Sequence, residues 1–246
     1  MGVNQRGAGP SAGFIGLLQL QTRFPRPVGD IGHPRTFDFP VVRRIVHQAT
    51  AQAVVRDDPM VLRQAFIEAA QQLQAEGALA ITTSCGFLAL MQQEIAQSLH
   101  VPFAASALSQ VSWITPLLAA GRRVGILTAD ASALTPEHLR AVGVPLDAPI
   151  AGLDPAGELS RTLFEDRPTL DMRQAEAEVL DAARALVGAH RDIGAIVLEC
   201  TNLPPYRGAI RRATGLPVYD CNTLVHWLWQ GVSHQASLPL QGSSPS

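Results

Sequence analysis

The chain carries the same punctuation twice. Cys85 closes the apolar run Leu79-Ala80-Ile81-Thr82-Thr83-Ser84, and Cys200 closes Gly194-Ala195-Ile196-Val197-Leu198-Glu199. Seventeen residues after each cysteine a proline opens another apolar stretch, Val101-Pro102-Phe103 and Leu216-Pro217-Val218. Each half also opens on an apolar run broken by glycine, Ile15-Gly16-Leu17-Leu18-Gln19 and Arg123-Val124-Gly125-Ile126-Leu127-Thr128. Short apolar runs alternating with longer helical patterns predict βαβ units and parallel sheets. The doubled order predicts a duplication. The expected fold is therefore α/β, with two pseudo-symmetric lobes, each a mostly parallel sheet flanked by helices, and the active site in the cleft between them. Residues 1–107 form the first lobe, completed by 222–246, and 108–221 form the second.

Between these landmarks the pattern predicts a broken second strand over 41–49 and 53–55. A helix starts at Asp58-Pro59, with Asp as cap and Pro at the first helical position, and stops near Gly77. Further helices are expected over 87–99, 109–120, 170–187 and 223–231, with shorter ones starting at Thr135-Pro136 and after Pro204-Pro205.

Composition narrows the chemistry. With 246 residues, 47% of them hydrophobic, the chain can bury a substantial core. A net charge of -2 offers nucleic acid no basic field. All 19 basic residues are arginine. Without a lysine there is no Schiff base to pyridoxal phosphate or to an aldolase substrate, and no P-loop lysine. Three cysteines in a chain this long read as a reduced protein rather than a disulfide scaffold. Residues 1–13 lack a long apolar segment, so no signal peptide is expected, no apolar run approaches a membrane span, and the expectation is a cytoplasmic protein. Both ends read as loose tails.

Ligands of parallel α/β sheets bind outside the carboxyl ends of the strands. Cys85 and Cys200 both lie there, each just before a helix, whose N-terminus is expected to lower the thiol pKa toward neutrality. Two such thiols facing across a cleft suit removal of a proton from one face of a carbon and its return to the other. A lone buried cysteine is more often packing; two at equivalent strand ends weaken that reading. No Cys-x-x-Cys or close Cys/His pair supports a metal. Cys221 has Ser106 in the corresponding slot of the first half and reads as packing.

Thr82-Thr83-Ser84-Cys85-Gly86 and Leu198-Glu199-Cys200-Thr201-Asn202, on two similar lobes, resemble the aspartate/glutamate/hydantoin racemase superfamily. The resemblance implies a cofactor-independent enzyme, with no metal and no pyridoxal phosphate, in which Cys85 and Cys200 are the acid/base pair. It further implies that Gly86 and Thr201 contact a substrate carboxylate, that Phe87 and Asn202 beside them shape the pocket, and that Gln19 and Thr128 line the same cleft. The expected activity is racemisation or epimerisation of an amino acid or derivative, an isomerase of amino acid metabolism. Decarboxylation or cis–trans isomerisation in the same superfamily is the alternative, as is a two-lobed small-molecule binding protein without catalysis. The expected partner is a small carboxylate or amide, with no nucleic acid and no membrane, and relatives imply a homo-oligomer. Gly86-Phe87 and Thr201-Asn202 stand where glutamate and aspartate racemases carry Asn-Thr and Thr-His or Thr-Glu, which points away from free glutamate or aspartate. The loop after the first strand is expected to reach over the cleft, with Arg23 available to a second acid group and Arg26 and Asp30 solvated. His226 is a minor candidate in the last helix; Trp113, Trp227 and Trp229 read as core or interface.

Overall fold

The apolar runs flanking each cysteine become the central strands of two parallel sheets. The computed structural model describes residues 13–233; the expected tails, Gly13 apart, lie outside them. The first sheet contains β1 (Phe14–Leu20), β2 (Val41–Val46), β3 (Ala78–Thr83) and β4 (Phe103–Ala104), in the order β2-β1-β3-β4. The second contains β5 (Arg123–Thr128), β6 (Ile150–Gly152), β7 (Ile193–Leu198) and β8 (Val218–Tyr219), in the order β6-β5-β7-β8. All pairings are parallel.

The duplication holds at the level of register. Ile81 pairs with Phe103 and Ile196 with Val218, and each cysteine stands four residues beyond its isoleucine. The first strand of each lobe breaks register at the same place, Phe14/Ile15 and Arg123/Val124. The backbone N–H beyond each central strand donates to the neighbouring strand in the same way, Ser84 to Leu18 at 2.9 Å and Glu199 to Leu127 at 2.8 Å.

Helices enclose the sheets: α1 (Ala51–Val55), α2 (Arg63–Ala75), α3 (Gln92–Gln97), α4 (Val111–Ile114), α5 (Pro136–Ala141), α6 (Glu158–Phe164), α7 (Met172–Ala189), α8 (Arg207–Thr214) and α9 (Cys221–Val232). Local chemistry explains several boundaries. Asp58 accepts from Met60 N at 2.9 Å and Pro59 opens a 3-10 turn that leads into α2. Gly77, at φ +99°, takes the left-handed conformation that stops it. Asp171 caps α7 by accepting from Arg173 N and Gln174 N. Helix α9 packs on β3 of the first sheet.

Three expectations need correction, and two elements were not expected. Residues 53–55 are helical, because Thr50 Oγ1 accepts from Ala53 N at 3.1 Å and caps α1; the valine pair imitates a strand. The segments 87–99 and 109–120 are not single helices. The first begins as a 3-10 turn, Gly86–Met91, and the second is broken by 3-10 turns on either side of α4, the latter at Pro116. Neither β6 nor α6 was anticipated, since β6 is only three residues long and half-buried throughout. Among the described residues no helix is long and apolar enough to cross a membrane, and no group of His, Cys, Asp or Glu is arranged to hold a metal ion.

Candidate active site

The ends of β3 and β7 meet between the lobes. Thr201 Oγ1 donates to the carbonyl of Ser84 at 2.6 Å, and Gly86 lies against the side chain and carbonyl of Glu199. A β-carbon at position 86 would collide with both, so glycine is required there by close approach rather than by its backbone angles. Gly86→Ala should therefore overpack the junction and cost about 2 kcal/mol. Thermal unfolding should show a drop of roughly 5 °C; an unchanged midpoint would mean that the two strand ends are not pressed together.

Beside this junction lies a partly enclosed cavity of about 30 Å³. It is lined by Cys85, Gly86, Phe87, Cys200, Thr201 and Asn202. Both cysteines are free and 8% exposed. The structure thus gathers six of the eight expected site residues on one wall. Gln19 and Thr128 are not at that wall; Thr128 is fully buried behind Glu199 and donates to its Oε2 at 2.6 Å.

The remaining wall is apolar, and one basic side chain enters it. Leu20, Phe24, Val55, Leu163 and Phe164 face the cavity together with Arg26. The expectation that Arg26 and Asp30 are solvated is overturned: their side chains are 11% and 1% exposed. Arg26 Nη1 donates to Asp30 Oδ1 at 2.9 Å, and the guanidinium lies 4.7 Å from the Phe24 ring centroid. Asp30 also accepts from Gly32 N at 2.7 Å and from Asn202 Nδ2 at 2.6 Å. Arg23, expected to meet a second acid group, pairs with Asp166 of the second lobe and fastens the loop across the cleft. Helix α1 closes the other side. Arg56, just beyond it, pairs with Asp130 at 3.0 Å and stacks 3.8 Å from the Phe164 centroid. A ligand of several heavy atoms enters only when one of these covers moves.

Electrostatics reverse one expectation. Burial, and then the charge of Glu199, push the Cys85 thiol up to about 12; the N–H groups of Phe87 and Leu88 and the charge of Arg26 oppose this less strongly. Cys200 is raised well above its ordinary range by the same two causes. The 3-10 turn after Cys85 is a weaker source of positive potential than a long helix, and desolvation of the thiolate outweighs it. The pair is not symmetric. Asp30 fixes the Asn202 amide, so Asn202 Oδ1 faces the Cys200 thiol, which donates to it at 3.6 Å. That acceptor favours the protonated form of Cys200 against the single N–H of Asn202, whereas Cys85 has the N–H groups of both Phe87 and Leu88.

Sequence reasoning missed Arg26 and Asp30 as site residues, and Glu199 altogether. A charged residue closing the apolar run Ile196-Val197-Leu198 was the available signal for Glu199. His226 is away from the cavity, packed against Phe37 and Phe39. Trp113 and Trp227 contact each other on the surface, and Trp229 stacks on Phe39.

Two parallel-sheet lobes with the pocket at their facing strand ends define a class. The chain has the fold of the aspartate/glutamate/hydantoin racemase superfamily. Arylmalonate decarboxylase superposes with a TM-score of 0.58 at 16% identity, covering 91% of this chain and 94% of that one. An aspartate racemase homologue from Pyrococcus horikoshii OT3 gives 0.54 at 15% identity, over 90% and 99% of the two chains. Allantoin racemase from Pseudomonas fluorescens gives 0.51 at 14%, over 94% and 100%. No family model matches the chain. By sequence it is similar to dimethylsulfoniopropionate lyase 7 of Emiliania huxleyi (strain CCMP1516), 30% identical over 85% of this chain and 64% of that one. The dimethylsulfoniopropionate lyase of Durusdinium sp. clade D is 29% identical over 84% and 70%. The chain therefore spans a little under two thirds of the first of these relatives.

These relatives correct the expected activity. They are named lyases, not racemases, so the reading as an amino-acid racemase or epimerase, an isomerase of amino acid metabolism, does not stand. The physical reason it misled is that removing a proton beside a carboxylate is the opening step of elimination as well as of racemisation.

Proposed function

We propose that the chain is a lyase that eliminates a β-substituent from a small carboxylate, with dimethylsulfoniopropionate as the substrate to test first. The similarity to lyases of that name over most of the chain carries the reading. The pocket supports it by placing a thiol pair and one arginine in apolar surroundings. Arg26 faces the substrate carboxylate, and its charge, delocalised over the guanidinium, acidifies the adjacent C–H. A thiolate takes the α-proton, forming S–H. The C–H electrons become the C=C bond of acrylate, and the C–S electrons leave with sulfur as neutral dimethyl sulfide. The donors around Cys85 give it the part of the base. Cys200, held as a thiol, donates a hydrogen bond to the charge that develops on the carboxylate. Closure by α1 and the 21–36 loop keeps water from the carbanion-like centre.

Incubation with dimethylsulfoniopropionate should yield dimethyl sulfide in the headspace and acrylate by proton NMR in equal amounts. Carbon dioxide from an arylmalonate, with no sulfide from dimethylsulfoniopropionate, would move the chain to the decarboxylase alternative. Exchange of the α-proton in D2O with no sulfide would refute elimination.

A further inference from the structure

One buried carboxyl group in the site has no cationic partner among the described residues. Glu199 is fully buried, and among the described residues the only hydrogen bond to its side chain is the one from Thr128 to Oε2. Oε1 lies against Gly86 with no donor. Asp30, by contrast, is matched by Arg26 at 2.9 Å, whereas among the described residues no salt bridge reaches Glu199. An isolated carboxylate in an apolar pocket is costly unless it holds a proton or meets a positive charge. The elimination reading supplies such a charge, because the leaving group is a sulfonium.

We propose that Glu199 is the counter-charge for a cationic leaving group, so that the pocket selects zwitterions with an onium group β to their carboxylate. The inference rests on the elimination reading and adds the residue that sets its specificity. Arg26 and Glu199, both at the cavity wall, present opposite charges to a ligand whose ends are oppositely charged. Oε1 is covered by Gly86, so the carboxylate acts through the low-dielectric wall rather than by contact. The titratable and charged groups that share its surroundings are Cys85 and Cys200 at the strand ends and Arg26 at the cavity wall.

The surroundings of Glu199 fit this role. Burial pushes Glu199 up to about 7, opposed by the Thr128 hydrogen bond, so the group exchanges a proton near neutrality. When ionised it opposes formation of either thiolate. A bound cation offsets that field, so the thiols ionise more readily when the correct substrate is present.

Two non-reacting probes of similar shape test this by calorimetry: N,N-dimethyl-β-alanine, which is cationic, and isocaproate, which is neutral at the corresponding atom. Wild-type protein should bind the cationic probe at least about tenfold more tightly above pH 7. Below pH 7 that binding should release part of a proton, read from heats in buffers of different ionisation enthalpy, as Glu199 ionises. E199Q should lose both the preference and the proton release. Thr128→Val, which removes the one donor that favours the carboxylate, should move the proton release to higher pH. Equal binding of the two probes by wild type, or a preference that survives in E199Q, would overturn the proposal. Should E199Q fail to fold, wild-type proton release and its shift in Thr128→Val decide alone. Because only binding is read, absence of elimination with a Glu199-dependent preference would defeat the activity and spare this inference, and the converse pattern would do the reverse.

Discussion

Cys85→Ala and Cys200→Ala should each lower kcat/KM for dimethyl sulfide release by about 10³-fold, the scale of a lost acid or base. Both thiols lie at the wall of one cavity, and no His is among the residues lining it to replace them. The serine variants separate the roles. Cys200→Ser keeps an O–H donor within reach of Asn202 Oδ1 and should retain part of the activity. Cys85→Ser replaces the base with a group far harder to ionise and should be as inactive as the alanine variant. Cys221→Ala is the control. That thiol is buried behind Thr201, its Sγ 4.0 Å from the carbonyl, and does not line the cavity, so turnover should remain within about twofold. Headspace sulfide against substrate concentration measures all five. Full activity in either alanine variant at 85 or 200 would remove the thiols from the mechanism.

Asp30→Ala should be the most destabilising single change at the site. The carboxylate accepts from Arg26, Gly32 and Asn202, and the arginine is almost as buried as the aspartate. Removing it strands a buried cation and two further donors, a loss of about 3–5 kcal/mol, or roughly 10 °C in thermal midpoint for a chain of this length. A double variant tells the stability of the pair from its function. Arg26→Met with Asp30→Leu removes both charges and should recover most of the lost stability, since well-packed apolar replacements of buried pairs often do. It should not recover binding of a carboxylate ligand. If the single variant melts within a degree or two of wild type, the pair is more hydrated than the structure shows; if the double variant still binds carboxylates, Arg26 is not their anchor.

The repeat made the two cysteines legible. Their places at strand ends follow from apolar runs of the right length, each followed seventeen residues after its cysteine by the same proline signal, and register pairing puts each cysteine four residues past an equivalent isoleucine. Local signals also fixed the Asp58-Pro59 helix start and the stop at Gly77. They failed at 53–55, where a side-chain cap outweighed the strand preference of two valines. They also failed for Arg26 and Asp30, which look like solvated loop residues until the loop folds across to Asp166 and buries them.

The choice of chemistry was not local either. Alternating short strands and helices determine an α/β chain of two halves, because hydrophobic period and turn residues act over a few positions. The absence of lysine excludes whole classes of covalent chemistry in the same direct way. Which charges share a pocket is decided only when the lobes close. Residues far apart in sequence, Arg26 and Asp30 on one side and Glu199 and Asn202 on the other, meet across a cleft and are largely buried there. There burial, rather than the nearby helix end, governs how readily a thiol or a carboxylate holds its proton. Desolvation depends on everything packed around a group, and for that reason no stretch of sequence taken alone could state it.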